Sequence, residues 1–86
     1  MTRRAVVIGV GHYLPDRVVP NAEFEKTLDT TDEWIKSRSG IERRHFAAPD
    51  QTTSDLATNA ANAALVMAGL TGNDVDAIIV ATSTSD

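Results

Sequence analysis

Hydrophobic residues follow two patterns along the chain. Residues 5–10 and 77–81 are short, continuous apolar runs that do not alternate with polar residues. Runs of this kind are typical of strands buried on both faces of a parallel or mixed sheet. Between them, residues 54–68 carry apolar side chains at helical spacing, and Gly69 can end a helix. The pattern therefore predicts two buried strands and one long helix.

The connection between the two predicted strands is far too long for a hairpin. We therefore expect the strands to be parallel, with a right-handed crossover. The order strand, helical insertion, long helix, strand places the chain in the α/β class. Two strands and one helix leave most of a doubly covered sheet missing, so we expect residues 1–86 to be incomplete as a domain.

The insertion between the strands contains a first short helix. Residues 22–28 are predicted to form it, with Asn21 as its N-cap. Phe24 and Leu28 are four residues apart and are expected to form its buried face. Residues 41–46 alternate loosely, which predicts a short exposed strand or an extended arm.

A second short helix is predicted directly after the first. Thr30 followed by Glu33 has the capping-box spacing, and Gly40 can adopt the left-handed conformation that ends a helix. Trp34 and Arg38 are four residues apart, so their side chains share one face. An indole beside a planar guanidinium can hold a flat, partly anionic ligand. Alternatively, Trp34 is a packing anchor for the helix and Arg38 lies over it.

The net charge and the distribution of basic residues indicate which kinds of ligand the chain can bind. The net charge of −4 argues against a nucleic-acid-binding surface, which needs a basic excess. Lys36, Arg38, Arg43 and Arg44 nevertheless form a local basic cluster. Such a cluster suits a small anionic ligand or an acidic partner protein. For Arg43 and Arg44, however, a solvated arm is the simpler interpretation.

Several kinds of site are not predicted. No cysteine is present, which excludes a disulfide framework, a thiol nucleophile and a Cys-ligated metal within these residues. His12 and His45 have no ligand-like neighbours, so we expect no metal site and interpret both as structural. No stretch approaches the roughly 20 apolar residues of a membrane span. We expect a cytoplasmic protein that binds neither membrane nor nucleic acid.

Gly9 and Gly11, at the end of the first predicted strand, resemble the start of a dinucleotide-binding motif. The pattern fails because Leu14 stands where a third small residue is needed, and Pro15 follows where a long helix should begin. We interpret the glycines as allowing a bend or a close approach to a neighbouring element.

A series of motifs runs along the whole chain in order. The motifs lie at residues 11–15, 30–35, 38–41, 53–57, 68–70 and 78–84. The most specific are Thr-Asp-Glu-Trp-Ile at 31–35 and Arg-Ser-Gly-Ile at 38–41. Together they resemble the N-terminus of β-ketoacyl-acyl-carrier-protein synthase III.

The resemblance implies an acyltransferase with a partial thiolase-like fold in these residues. The family condenses an acyl-CoA primer, often acetyl-CoA, with malonyl-acyl carrier protein to start type II fatty-acid synthesis. It implies a homodimer, and coenzyme A thioester as a substrate without any cofactor. The family's catalytic cysteine, histidine and asparagine lie C-terminal to residue 86, so no catalytic residue is assigned here.

Within the chain, the resemblance implies residues that bind coenzyme A. Trp34 and Arg38 match the pair that sandwiches the adenine of CoA, and Thr30 matches a residue that contacts the same nucleotide region. The 86 residues alone are expected to be inactive. The alternative is a stand-alone CoA- or nucleotide-binding module without catalysis.

Overall fold

The computed structural model describes residues 3–86. Its elements in chain order are β1 (Arg17–Pro20), α1 (Asn21–Phe24), α2 (Asp32–Ser39), β2 (Arg43–Phe46), α3 (Thr53–Ala68) and a single 3-10 turn (Gly72–Asp74). They belong to two compact units. The inserted unit is Leu14–Asp50, and the α3 unit is residues 3–13 together with Gln51–Asp86.

The inserted unit is built on a two-stranded antiparallel sheet. β1 and β2 pair with Val18 opposite His45 and Val19 opposite Arg44, which confirms the strand predicted in residues 41–46. Val19 is fully buried. The ring of His45 hydrogen-bonds the Pro15 carbonyl at 2.6 Å, so this histidine has the structural role that the sequence predicted.

Helix α1 differs from its prediction. It ends at Phe24, and Pro20 rather than Asn21 occupies the N-cap position, with no side-chain cap. Asn21 is the first helical residue, and its side chain is buried. The expected apolar face is also incomplete, because Leu28 is 59% exposed. Asn21 is drawn inward because polar groups from distant parts of the inserted unit meet its amide.

Helix α3 follows its prediction closely. Thr52 is the N-cap and forms a capping box with Asp55, which satisfies free N–H groups at the start of the helix. Gly69 adopts φ 70°, and the Leu70 amide donates to the Leu65 carbonyl at 3.0 Å, which is the Schellman ending. Among residues 3–86, no helix has the length and apolar character needed to cross a membrane.

The two continuous apolar runs do not form the predicted parallel strands. Residues 5–10 and 77–81 are in no hydrogen-bonded sheet, and the strands of the described residues are β1 and β2. Ile79 is 96% exposed. A parallel strand depends on neighbours at its edges and layers over its faces. Helix α3 packs against the first run at Gly9, but no strand within residues 3–86 pairs with either run.

Gly9 and Gly11 pack closely against α3, as the sequence predicted. A Cβ atom on Gly9 would lie 2.5 Å from the Ala64 carbonyl oxygen and 3.0 Å from Cβ of Ala68. A Cβ on Gly11 would lie 2.8 Å from Cβ of Ala63. These separations are shorter than normal contacts, so glycine and the alanines of α3 are required for this approach.

Candidate ligand-binding site

Helix α2 is fixed at both ends by local hydrogen bonds. Its N-cap is Thr31, whose hydroxyl accepts from the Trp34 amide at 3.1 Å. The Asp32 amide donates to the Glu25 carboxylate at 2.8 Å. At the other end, Gly40 adopts φ 73° and its amide donates to the Lys36 carbonyl. The predicted ending at Gly40 is therefore confirmed.

The predicted N-cap was wrong by one residue. The helix begins at Asp32, so the hydroxyl of Thr31 rather than that of Thr30 reaches the free amides of the first turn. The carboxylate that accepts a hydrogen bond from a first-turn amide is that of Glu25, not that of the predicted Glu33. The Thr30 hydroxyl oxygen is buried, and no residue among 3–86 hydrogen-bonds it. Thr30 therefore has an unused donor and acceptor.

Trp34 and Arg38 form the predicted pair on one face of α2. The Arg38 guanidinium carbon lies 5.5 Å from the centroid of the Trp34 ring. This separation is within the range of a cation–π interaction. Trp34 remains 55% exposed, so Arg38 does not bury the indole, and ring surface is left for another planar group.

An open cleft of about 660 Å³ lies beside the indole. Its volume is in the range of small-molecule sites. The cleft is lined by Phe24, Leu28, Asp29, Thr30, Thr31, Trp34 and Ile35. Thr30 and Trp34 are thus brought together, whereas Arg38 is beside the ring and outside this lining. The sequence predicted Thr30 and Trp34 as site residues but not the other residues that line the cleft. The one sequence signal for these was the four-residue spacing of Phe24 and Leu28, which indicated a shared apolar face.

The four basic residues of the cluster have different surroundings. Lys36 forms salt bridges with Asp32 and Glu42 at 3.2 and 3.9 Å, and Arg43 lies 4.0 Å from the same Glu42. Arg44 is half-buried and hydrogen-bonded, so the solvated-arm interpretation was wrong for it. Arg38 has neither a carboxylate nor a carbonyl partner within residues 3–86.

The buried Asn21 side chain connects α2 to the rest of the inserted unit. Its amide nitrogen donates to Asp32 Oδ1 at 2.9 Å and to the Ile41 carbonyl at 2.7 Å. Its carbonyl oxygen accepts from Arg44 Nη2 at 2.6 Å. Arg44 also donates to the Val19 carbonyl at 3.0 Å. Sequence reasoning missed this role because it assigned Asn21 to a local cap.

Two carboxyl groups have shifted acidity. The hydrogen bond from the Asn21 amide, together with the Lys36 ammonium, holds the pKa of Asp32 below its ordinary value. At the start of α3, the Ser54 hydroxyl donates to Asp86 at 2.6 Å and lowers the pKa of that carboxyl. Both groups remain ionised under neutral conditions, and both are placed at the N-terminal end of a helix, where negative charge is favoured.

Comparison with curated proteins decides the family. The chain is 74% identical over all 86 residues to the β-ketoacyl-[acyl-carrier-protein] synthase III of Ruegeria sp. (strain TM1040), and 73% identical to that of Rhodobacter capsulatus. Over its whole length, the chain matches β-ketoacyl-[acyl-carrier-protein] synthase III. It corresponds to the N-terminal part, since it spans 27% of the Ruegeria relative and 26% of the Rhodobacter one. A comparison with profiles of known protein families found no match.

Solved structures of a synthase III and of a priming β-ketosynthase are also similar to the chain. The Aquifex aeolicus enzyme superposes with a TM-score of 0.75 and 45% identity, covering 80% of this chain and 22% of that one. The priming β-ketosynthase of the R1128 polyketide pathway gives a TM-score of 0.77 at 41% identity, covering 81% and 21%. The α/β class and the thiolase-like fold predicted from the sequence are thereby confirmed.

Proposed function

We propose that this chain supplies the nucleotide-binding side of the coenzyme A site in a β-ketoacyl-acyl-carrier-protein synthase III. The reaction would be condensation of acyl-CoA, often acetyl-CoA, with malonyl-acyl carrier protein, the first step of type II fatty-acid synthesis. One observation carries the proposal. The Arg38 guanidinium has no anionic partner within residues 3–86 and lies 5.5 Å from the centre of a half-exposed indole.

The chemistry of this pair fits an adenine nucleotide. A base stacked on an aromatic ring gains about 1–3 kcal/mol. A guanidinium adds cation–π attraction and can also bind phosphate. Thr30 lines the same cleft, and its buried hydroxyl has no partner among residues 3–86. In this proposal Trp34 stacks on the adenine, Arg38 holds its other side or its phosphates, and Thr30 contacts the nucleotide.

The chemical step belongs to residues outside the chain. The 86 residues contain no cysteine, so a cysteine nucleophile has to come from the remaining part of a full-length synthase. We therefore propose that residues 1–86 are an incomplete domain with no catalytic residue, inactive alone. The working form is proposed to be a cytoplasmic homodimer whose partners are acyl-CoA and malonyl-acyl carrier protein.

The test uses a chimaeric synthase in which this chain replaces the matching N-terminal part of the Ruegeria enzyme. Trp34→Ala and Arg38→Ala are each expected to raise KM for acetyl-CoA by roughly 5- to 150-fold, the equivalent of about 1–3 kcal/mol. kcat should change little, because the nucleotide is remote from the reacting thioester. Lys26→Ala removes the same charge from an exposed lysine and is the control.

The outcomes are distinct. If both variants keep the KM of the unaltered chimaera, the proposed site is wrong. If they raise KM while Lys26→Ala does not, the site is supported. Calorimetric titration of CoA into the 86-residue chain tests the alternative. Binding that Arg38→Ala abolishes would favour a stand-alone nucleotide-binding module.

A further inference from the structure

We propose that Asn21 is a positioning residue, whose buried carboxamide sets the location of α2 and so the geometry of the Trp34–Arg38 pair. This inference rests on the proposed function, and it adds residues that do not touch the nucleotide. Asn21 is 1% exposed and is the one fully buried polar side chain within residues 3–86.

Helix α2 is not located by apolar packing. None of its eight residues is buried, and Trp34 is 55% exposed. A helix with no buried face gains little from the hydrophobic effect that usually fixes a helix on its fold. Its position therefore depends on polar contacts, most of which are made at its two ends.

The Asn21 amide contacts the chain on both sides of α2. Asp32 is the first residue of the helix, and Ile41 follows its C-cap Gly40. Each accepts one of the two hydrogens of the Asn21 amide nitrogen, at 2.9 and 2.7 Å. One side chain thus holds the beginning of the helix and the segment directly after it.

The other side of the carboxamide is held by the sheet. Arg44 in β2 donates to the Asn21 oxygen at 2.6 Å and to the carbonyl of Val19 in β1 at 3.0 Å. Its guanidinium also lies 4.6 Å from the centre of the Phe24 ring. Since the oxygen faces a donor and the nitrogen faces two acceptors, the amide has one satisfactory orientation.

The consequence for the site follows from the stiffness of a helix. Trp34 lies two positions after Asp32, and Arg38 lies one turn later on the same face. A change in the Asp32 contact therefore moves both side chains together. The hydrogen bonds among Asn21, Asp32 and Arg44 thus connect the β1–β2 sheet to α2, whose Trp34–Arg38 face is proposed to bind the nucleotide.

The experiment alters the α2 side of the network in the chimaeric synthase. Asp32→Ala removes the acceptor for Asn21, and Asp32→Asn keeps an oxygen acceptor while removing the charge. Glu33→Ala is the matched control, because Glu33 is an exposed first-turn carboxylate with no partner among residues 3–86. Measurements are KM and kcat with acetyl-CoA, calorimetric Kd for CoA, and the thermal unfolding midpoint.

We expect Asp32→Ala to raise KM and Kd about three- to tenfold, as for loss of one hydrogen bond. kcat should be nearly unchanged, and Asp32→Asn should restore most of the affinity. Equal effects of Asp32→Ala and Glu33→Ala, or an Asp32→Asn variant as weak as Asp32→Ala, would overturn the positioning role. If Trp34→Ala and Arg38→Ala leave KM unchanged, the proposed function itself fails, independently of these variants.

Discussion

Replacing Asn21 by alanine removes three hydrogen bonds from the centre of the inserted unit. The Ile41 carbonyl loses its Asn21 donor, and the charged Arg44 loses one of its two acceptors. A buried polar group left without a partner costs about 1–3 kcal/mol. With partial access of water, we expect a total loss of about 2–4 kcal/mol of local stability.

Hydrogen exchange can measure this loss where it occurs. In the chimaeric synthase, amides of α2 and of the β1–β2 sheet should lose protection by roughly 30- to 1,000-fold, the equivalent of 2–4 kcal/mol. Peptides from α3 belong to the other compact unit and serve as an internal control. Asn62→Ala makes the same substitution at an exposed position of α3 and should change stability by less than about 0.5 kcal/mol.

The reasoning would be refuted by a small or delocalised effect. A loss of protection below about twofold in α2 would mean that the three hydrogen bonds do not hold the helix. An equal loss in α2 and α3 would mean that Asn21→Ala acts on the whole protein rather than on the inserted unit.

Two other perturbations test the close packing on α3 and the charge of Asp32. Gly11→Ala should destabilise the α3 unit by about 1–3 kcal/mol, because the new methyl would overlap the backbone nitrogen of Ala64. Gly72→Ala meets no atom within 4 Å and should have little effect, so equal midpoints of thermal unfolding for the two variants would contradict the close approach. Because the pKa of Asp32 is lowered in the folded state, its contribution to stability is complete above its unfolded pKa, about 3.9, and is lost as pH falls through the lower folded value. As the pH is lowered below about 4, protection of α2 should therefore fall less in Asp32→Asn than in Glu33→Gln, and identical pH profiles would show that Asp32 does not contribute.

Features decided by neighbouring residues were predictable from the sequence. The ending of α2 at Gly40, the ending of α3 at Gly69 and the face shared by Trp34 and Arg38 all depend on spacings of five residues or fewer. Local geometry determines such features whatever the rest of the fold does.

Features decided by distant residues were not predictable in the same way. The N-cap position of α2 involves Glu25, seven residues before Asp32, so adjacent Thr30 and Thr31 could not be distinguished by local spacing. The burial of Asn21 depends on Arg44, 23 residues later. Asparagine before a helix is usually a cap, and sequence alone contains no signal that a guanidinium would reach it.

The apolar runs illustrate a different limit. Their composition predicted strands buried on both faces, and β structure depends on partners that are remote along the chain. Within residues 3–86, Ile79 remains 96% exposed and neither run joins a sheet. The composition of these runs indicated that they need neighbouring strands, and the described residues do not supply those strands.

The close contact between the glycines and α3 also constrains how this sequence can evolve. A side chain gained at Gly9 would meet the Ala64 carbonyl oxygen at 2.5 Å, a backbone atom that no substitution in α3 removes. Loss of the Ala68 Cβ, which would be 3.0 Å away, leaves that clash in place, and alanine to glycine near the end of a helix itself costs up to about 1 kcal/mol. An exchange of volume between Gly9 and Ala68 therefore does not restore the packing, and glycine is expected to be retained at position 9 as long as α3 keeps this separation.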